Sequence, residues 1–204
     1  MTIKNKKTLN TVIIIPARID SSRLKKKLLR NISGLPMIVR VAQNAENLKM
    51  GRVIVGTDSR EIYNECEKNN LEAMMTKSSH KSGTDRVYEV YKILNKDFDL
   101  IINLQGDLPI FKKDLFEKTT KLFSDDSVDI GSAVCDLEDS EIYDKNIVKA
   151  RVVLDDYDEG YALDFMRTVD CTKNIYHHIG VYIYKPNVLK EFVSLLQSKR
   201  EKER

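Results

Sequence analysis

Short, continuous apolar runs alternate with longer amphipathic segments in the chain up to Phe123. Four runs rich in β-branched and aliphatic residues predict strands at residues 11–17, 52–58, 72–76 and 98–107. Four amphipathic segments predict helices at residues 36–47, 59–70, 84–96 and 109–123. Strands that are apolar without interruption and are joined by helices are typical of a parallel sheet covered by helices.

From residue 129 onward the pattern changes, because predicted strands follow one another with fewer helices between them. These strands are residues 129–137, 148–156, 160–168 and 177–185. They indicate an antiparallel or mixed region on the same sheet, and a further amphipathic helix is predicted to start at Glu191. We therefore expect an α/β fold with a mixed, mainly parallel central sheet, flanking helices and a smaller antiparallel region.

Length and composition restrict the class of protein. The 204 residues are expected to form a single domain, with one part at about 11–128 and a second at about 129–204. The net charge of +3 is too small to argue for a nucleic-acid partner. No run approaches membrane-spanning length, and the first ten residues lack the apolar core of a signal peptide.

The cysteines point to a reducing compartment. Cys66, Cys135 and Cys171 are odd in number and widely spaced, which fits neither a disulfide framework nor a zinc site. We expect a cytoplasmic protein without a membrane partner.

A cluster of six bases follows the first predicted strand and faces a single acid, Asp20. The bases are Arg18, Arg23, Lys25, Lys26, Lys27 and Arg30. In open parallel sheets ligands bind beyond the carboxyl ends of the strands, so Arg18 and Arg23 are candidates for binding a polyanion such as phosphate. For Lys25 and Lys26 a solvated lysine run is the preferred interpretation. Neither G-x-G-x-x-G nor G-K-[ST] occurs, which disfavours a nicotinamide dehydrogenase or a P-loop NTPase.

Two further loops carry candidate chemistry. Asp107 ends an apolar strand, where its carboxylate could bind magnesium together with substrate phosphates, or could simply cap the next helix. Residues 78–86 could form an ordinary helix cap or an anion site. Arg86 lies in the first helical turn, where acids are preferred, and could face an anionic substrate. His177 and His178 lie at the start of an apolar strand and have no assigned role from this pattern alone.

Several motifs occur in an order that is found in one family. They are "IPARIDSSRLKKKLLRNISGLPMI" (15–38), "HKSGTDR" (80–86), "NLQGDLP" (103–109), "NIVKARVVLDDYDEGYALDFMRT" (146–168) and "YHHIGVYIYKPNVLKEFVSL" (176–195). With these motifs the chain resembles the 3-deoxy-manno-octulosonate (Kdo) cytidylyltransferases, which make CMP-Kdo for lipopolysaccharide synthesis. The resemblance runs in order from about Val12 to the last residue.

The resemblance implies a glycosyltransferase-A-like nucleotide-diphospho-sugar transferase fold and a homodimer. It also implies a Mg²⁺-dependent reaction in which CTP and Kdo give CMP-Kdo and pyrophosphate. In this sequence the implied catalytic residues are Arg18, Lys27 and Asp107, the last as the metal ligand. The implied CTP-binding residues are Ala17, Arg18, Ser21, Arg23, Lys27, Ser82, Gly83 and Thr84. The implied residues that contact the acidic sugar are Arg86, Gln105, His178 and Tyr182.

The chain departs from the family pattern in four places. Lys25 and Lys26 replace a Pro-Gly pair and Leu28 replaces a second proline, so this loop lacks the residues that favour a tight bend. Leu108 replaces a frequent acid in the motif that contains Asp107. The segment between Arg167 and Tyr176 is shorter than in the family. Beyond Arg204 the family continues to a second metal-binding aspartate, so we expect the 204-residue chain to have weak or no activity.

Other functions stay open on the sequence alone. One is a cytidylyltransferase for another acidic eight- or nine-carbon sugar, such as an N-acylneuraminate or 8-amino-Kdo. Another is a nucleotide-binding remnant without catalysis. A nucleic-acid binder is disfavoured because no aromatic residues interleave with the basic cluster.

Overall fold

A computed structural model describes residues 9–19 and 24–198 of the chain. The strands are β1 (Thr11–Ala17), β2 (Asn31–Ile32), β3 (Leu35–Pro36), β4 (Arg52–Thr57), β5 (Ala73–Met75), β6 (Leu100–Leu104), β7 (Ile130–Cys135), β8 (Lys149–Val152), β9 (Ala162–Met166) and β10 (Ile175–Tyr184). The helices are α1 (Met37–Asn47), α2 (Arg60–Lys68), α3 (Gly83–Leu94), α4 (Lys113–Lys121) and α5 (Pro186–Phe192). Short 3-10 turns lie at Lys27–Leu29, Leu122–Ser124 and Asp139–Glu141.

Eight strands form one sheet in the order β5-β4-β1-β6-β10-β8-β9, and β7 also pairs with β10. The first four of these strands are parallel, whereas β10 is antiparallel to β6, β7 and β8. Strand β9 is antiparallel to β8. The expected mixed, mainly parallel sheet with an antiparallel region is confirmed.

Helices cover both faces of the parallel strands, which is why β1 is apolar at successive positions. On one face, Ile13 and Ile15 pack into a cluster with α1, α2 and Phe116 of α4. On the other face, Val12 and Ile14 pack against residues of α3 and α5. The alternation of side chains along a strand sends neighbouring residues to opposite layers of the core.

The hairpin of β2 and β3 was not predicted from the sequence. Ser33 and Gly34 both have positive φ, of 49° and 94°, as a two-residue type I′ turn requires. The Asn31 side chain accepts a hydrogen bond from the Gly34 amide at 2.7 Å. The hairpin leads directly into α1, which begins after Pro36.

The last helix lies earlier than predicted. The expectation of a helix starting at Glu191 was wrong, because α5 spans Pro186–Phe192. Proline is favoured in the first helical turn, and the buried Leu189 attaches the short helix to the core. Within the described residues, no helix is long and apolar enough to cross a membrane.

Candidate active site

The loops after β1 and β6 meet at the carboxyl edge of the parallel sheet. The two strands pair in register from Thr11 opposite Leu100 to Ile14 opposite Asn103, so they end side by side. A Cβ on Gly106 would lie 3.3 Å from the Pro16 carbonyl oxygen. Glycine favours this close approach, because a side chain here would force the two loops apart by a few tenths of an ångström.

At this edge the Lys27 Nζ atom lies 2.6 Å from an Asp107 carboxylate oxygen. The side chains are 34% and 45% exposed, so both face solvent as well as each other. Lys27 belongs to the 3-10 turn at Lys27–Leu29 and Asp107 follows β6. The fold thus brings an ammonium group and a carboxylate together across 80 residues of sequence. The family resemblance predicts phosphate binding for the first and metal binding for the second.

The other described bases after β1 have different surroundings from Lys27. The Lys26 side chain points to the Glu61 carboxylate, with Nζ at 2.7 Å from Oε2, and not toward Asp107. Its backbone is left-handed, with φ of 52°, so the chain makes this bend at the position where the family motif has glycine. Arg18 and Lys25 are exposed. The predicted Ser21 and Arg23 lie outside the described residues.

The loop of Ser82, Gly83 and Thr84 begins α3. Ser82 and Asp85 form a capping box, in which each side chain accepts a hydrogen bond from the other residue's backbone N–H. A Cβ on Gly83 would lie 3.2 Å from Pro16 Cγ, which places this loop against the end of β1. Thr84 hydrogen-bonds the hydroxyl of Tyr184, whose pKa is raised by burial.

Arg86 is only 3% exposed and lies beneath this loop. Its guanidinium bonds an Asp58 carboxylate oxygen at 2.7 Å and also the Thr76 hydroxyl. The predicted encounter of Arg86 with a sugar carboxylate stays a prediction, and in this conformation its charge is compensated by Asp58. The second carboxylate oxygen of Asp58 is buried and has no partner among the described residues.

Gln105 and the antiparallel strand β10 form the other side of the site. Leu104 lies opposite Val181, so the chain direction of β10 carries Gly180 and His178 past the carboxyl end of β6. A Cβ on Gly180 would lie 3.2 Å from Gln105 Cγ, so this glycine makes room for the Gln105 side chain. The Gln105 amide donates to Asn103 Oδ1 at 3.2 Å.

Aromatic rings and the His178 ring form a continuous row on and beside β10. His178 lies edge-on to Phe165, with centroids 4.8 Å apart, and 5.4 Å from the Tyr182 ring. Tyr182 in turn stacks on Tyr184 at 6.2 Å. Burial, with a smaller contribution from the neighbouring His177, lowers the pKa of His178 to about 4. The histidine is therefore neutral at physiological pH.

The donor set for a metal is small. The described residues contain no group of three or more His, Cys, Asp or Glu side chains arranged to hold a metal ion. Among the described residues of the two loops, Asp107 is the one carboxylate. This donor set fits Mg²⁺ when substrate phosphates complete the coordination, because Mg²⁺ is commonly bound through one or two carboxylates plus phosphate oxygens.

A family model described as "Cytidylyltransferase" matches residues 12–204. A 3-deoxy-manno-octulosonate cytidylyltransferase of Brucella anthropi is 38% identical over 201 residues, which cover 96% of this chain and 81% of the relative. The protein of the same name from Nitrobacter hamburgensis is 38% identical over 95% of this chain and 77% of its own length. The chain belongs to the 3-deoxy-manno-octulosonate cytidylyltransferase family.

Solved structures agree with this assignment. A CMP:2-keto-3-deoxy-manno-octonic acid synthetase complexed with CTP superposes with a TM-score of 0.81 at 31% identity, covering 95% of this chain and 81% of that one. A 4-diphosphocytidyl-2C-methyl-D-erythritol synthase from Anaerococcus prevotii has a TM-score of 0.62 at 13% identity, which shows the shared fold alone. It covers 96% of this chain and 82% of that chain.

For this cytidylyltransferase the structure brings several of the predicted site residues close together. Lys27 and Asp107 are in contact, Gly83 packs near Ala17 against Pro16, and Gln105 lies over Gly180 ahead of His178. Their individual roles stay predictions. Sequence patterns missed Asp58 and Ser132, which contact Arg86 and His178. Asp58 ends a predicted strand and so carried a positional signal, whereas nothing distinguished Ser132 from other serines in strands.

Proposed function

We propose that this protein transfers the cytidylyl group of CTP to the anomeric hydroxyl of Kdo, giving CMP-Kdo and pyrophosphate. Membership of the family supports cytidylyl transfer, and the names of its 38% identical relatives support Kdo as the sugar. The observation that carries the proposal is the contact between Lys27 and Asp107 at the carboxyl edge of β1 and β6. It provides one cation for a triphosphate and one carboxylate for its metal.

In this proposal the chain acts mainly by positioning and electrostatics. Lys27 and Arg18 would bind the triphosphate, and the loop of Ser82, Gly83 and Thr84 would line the cytidine side. The sugar hydroxyl would attack the α-phosphorus in line while the bond to pyrophosphate breaks. Gln105, His178 and Tyr182 would orient the sugar for that attack.

We also propose Mg²⁺ as the cofactor, bound by Asp107 and the phosphates of CTP. The bound ion would neutralise phosphate charge and activate the attacking oxygen. Lys27 would leave Asp107 and turn to the phosphates when the nucleotide binds, because the triphosphate offers it more negative charge than a single carboxylate.

We further propose that the protein is a cytoplasmic homodimer. A cytoplasmic location is supported by three free cysteines, of which Cys135 and Cys171 are exposed. A homodimer is supported by exposed apolar side chains on and beside β8 and β9, including Val153, Tyr161 and Leu163. The product CMP-Kdo would serve lipopolysaccharide synthesis.

The test is a pyrophosphate-release assay with CTP and Mg²⁺ against Kdo, 8-amino-Kdo and N-acetylneuraminate, with CTP binding followed by calorimetry. Turnover is expected to be weak in this 204-residue chain and highest with Kdo. A preference for another acidic sugar would reassign the substrate. Binding of CTP without turnover of any sugar would favour the non-catalytic alternative, and absence of CTP binding would contradict the proposal.

A further inference from the structure

The hydroxyl of Ser132 in β7 lies between two groups of β10. Its Oγ atom is 2.8 Å from His178 Nε2 and 2.8 Å from the carbonyl oxygen of Val181. The pairing of the two strands is irregular at this point, since Ile179 faces Ala133 whereas Tyr182 faces Ser132. Gly180 and Val181 are thus additional residues in β10, and such bulges redirect nearby side chains.

The hydrogen atoms available on Ser132, His178 and Val181 determine which group donates and which accepts. A serine hydroxyl has one hydrogen, and a carbonyl oxygen can only accept. Ser132 must therefore donate to Val181 and accept from His178, because the opposite choice would bring two acceptors within 2.8 Å. It follows that the His178 ring carries its hydrogen on Nε2 and that Nδ1 has a free lone pair.

The surroundings hold this ring in place. His178 is 7% exposed and lies between Phe165 and Tyr182, and its backbone N–H donates to the Val148 carbonyl at 2.9 Å. A buried neutral imidazole can offer one acceptor of defined direction, which suits recognition of a hydroxyl group. It does not suit pairing with a carboxylate, which needs a donor or a cation.

We propose that Ser132 is a positioning residue for sugar recognition: it keeps the hydrogen of His178 on Nε2, so that Nδ1 accepts a hydrogen bond from a hydroxyl group of the acidic sugar. The assignment of the acceptor role rests on the proposed function, whereas the assignment of the tautomer rests on the structure alone. The sugar carboxylate is then bound by other groups of the site.

The first experiment measures the tautomer in the free protein by ¹⁵N–¹H correlation through the ring protons of His178, assigned with His178→Gln. The wild-type ring is expected to carry its hydrogen on Nε2. Ser132→Ala is expected to give a mixture of the two tautomers, because it removes the hydroxyl oxygen that accepts the hydrogen bond from His178 Nε2–H. Ser132→Thr, which keeps the hydroxyl, is expected to restore the wild-type signals.

The second experiment measures steady-state kinetics of the same variants. Ser132→Ala is expected to raise KM for the sugar about three- to tenfold, the size of one neutral hydrogen bond, and to change KM for CTP less than twofold. Ser132→Thr is expected to restore the sugar KM. Ser124→Ala, in the exposed turn before β7, is the matched control and should leave both constants unchanged.

The possible results distinguish failure of the inference about Ser132 and His178 from failure of the proposed function. A wild-type ring with its hydrogen on Nδ1 overturns the inference without any variant. A Ser132→Ala protein that turns over with an unchanged sugar KM also overturns it. If the wild type shows the Nε2 tautomer but no sugar-dependent pyrophosphate release, the proposed function is contradicted. The tautomer assignment then stands, and only the role of His178 Nδ1 as a hydrogen-bond acceptor for the sugar is lost.

Discussion

Lys27 and Asp107 neutralise each other in the free protein, although the family resemblance assigns them to different ligands. Their contact of 2.6 Å joins the two loops that a nucleotide and its metal would share. Exposed ion pairs contribute little to stability, so this pair can open at small cost when a triphosphate arrives. In the proposed function the same lysine would pair with Asp107 in the free protein and with the phosphates in the bound state.

Replacing Lys27 tests this interpretation. Lys27→Met is expected to lower kcat/KM for CTP roughly 10- to 100-fold, because a hydrogen bond to a charged group is worth about 1.5–3 kcal/mol. The free energy of unfolding should change by less than about 1 kcal/mol. Steady-state kinetics and urea denaturation measure the two effects.

Lys26→Met is the matched control, because its side chain contacts Glu61 and not Asp107. Its kcat/KM for CTP should stay within about threefold of the wild type, a difference that corresponds to well under 1 kcal/mol. Equal losses in the two variants would contradict the assignment of Lys27 to the phosphates.

Lys26 itself is strained by its backbone. A residue with a side chain in the left-handed region costs roughly 1–2 kcal/mol, which glycine avoids. Lys26→Gly is therefore expected to raise the free energy of unfolding by about 0.5–1 kcal/mol. The comparison is made in a Glu61→Gln background, where no ion pair is lost. Unchanged or lower stability in urea denaturation would show that this bend is relaxed with lysine.

At the scale of elements, the buried pair of Asp58 and Arg86 connects the ends of β4 and β5 to the first turn of α3. Asp58→Asn would leave the Arg86 cation buried without its counter-charge. The free energy of unfolding is expected to fall by about 3 kcal/mol, as measured by chemical denaturation. Glu61→Gln breaks an exposed pair instead and should cost less than about 1 kcal/mol.

The packing of α3 on β4 depends on Gly56. A Cβ at this position would lie 2.6 Å from Val90 Cγ2, and valine in a helix has a stiff side chain. Gly56→Ala is expected to lower the free energy of unfolding by about 1–3 kcal/mol. A double-mutant cycle with Val90→Ala should show that the two substitutions together cost less than the sum of their separate effects. Additive losses in the free energy of unfolding would show that a Cβ at position 56 does not clash directly with Val90.

At the scale of the whole molecule, Cys66 reports on the integrity of the core. It is fully buried between α2 and the sheet, and burial raises its pKa to about 12. In a Cys135→Ser, Cys171→Ser variant, the remaining thiol should react with a disulfide reagent at pH 8 only when the fold opens. The reaction should accelerate steeply with urea, whereas modification at the rate of an exposed thiol would contradict this packing.

Most strands could be predicted from the sequence, because β1, β4 and β6 are buried on both faces and so lack polar interruptions. The family could be assigned as well, since its motifs occur in order along the chain, two of them in the loops that follow β1 and β6. The hairpin of β2 and β3 was missed because two-residue strands carry no periodic signal. The helix at Pro186–Phe192 was predicted too late in the chain, although Pro186 is a local signal for a helix start. The burial of Leu189, which attaches this helix to the core, is a tertiary contact that the sequence pattern does not show.

Local apolar runs and short motifs were sufficient to predict the α/β class, the family and the positions of Lys27 and Asp107. The pairing of distant groups follows from the tertiary structure. Lys27 meets Asp107 across 80 residues, and Ser132 meets His178 across 46. Such partners are set by strand order, by the direction of β10 and by its bulge. No local pattern encodes these features, because they arise when distant segments pack together.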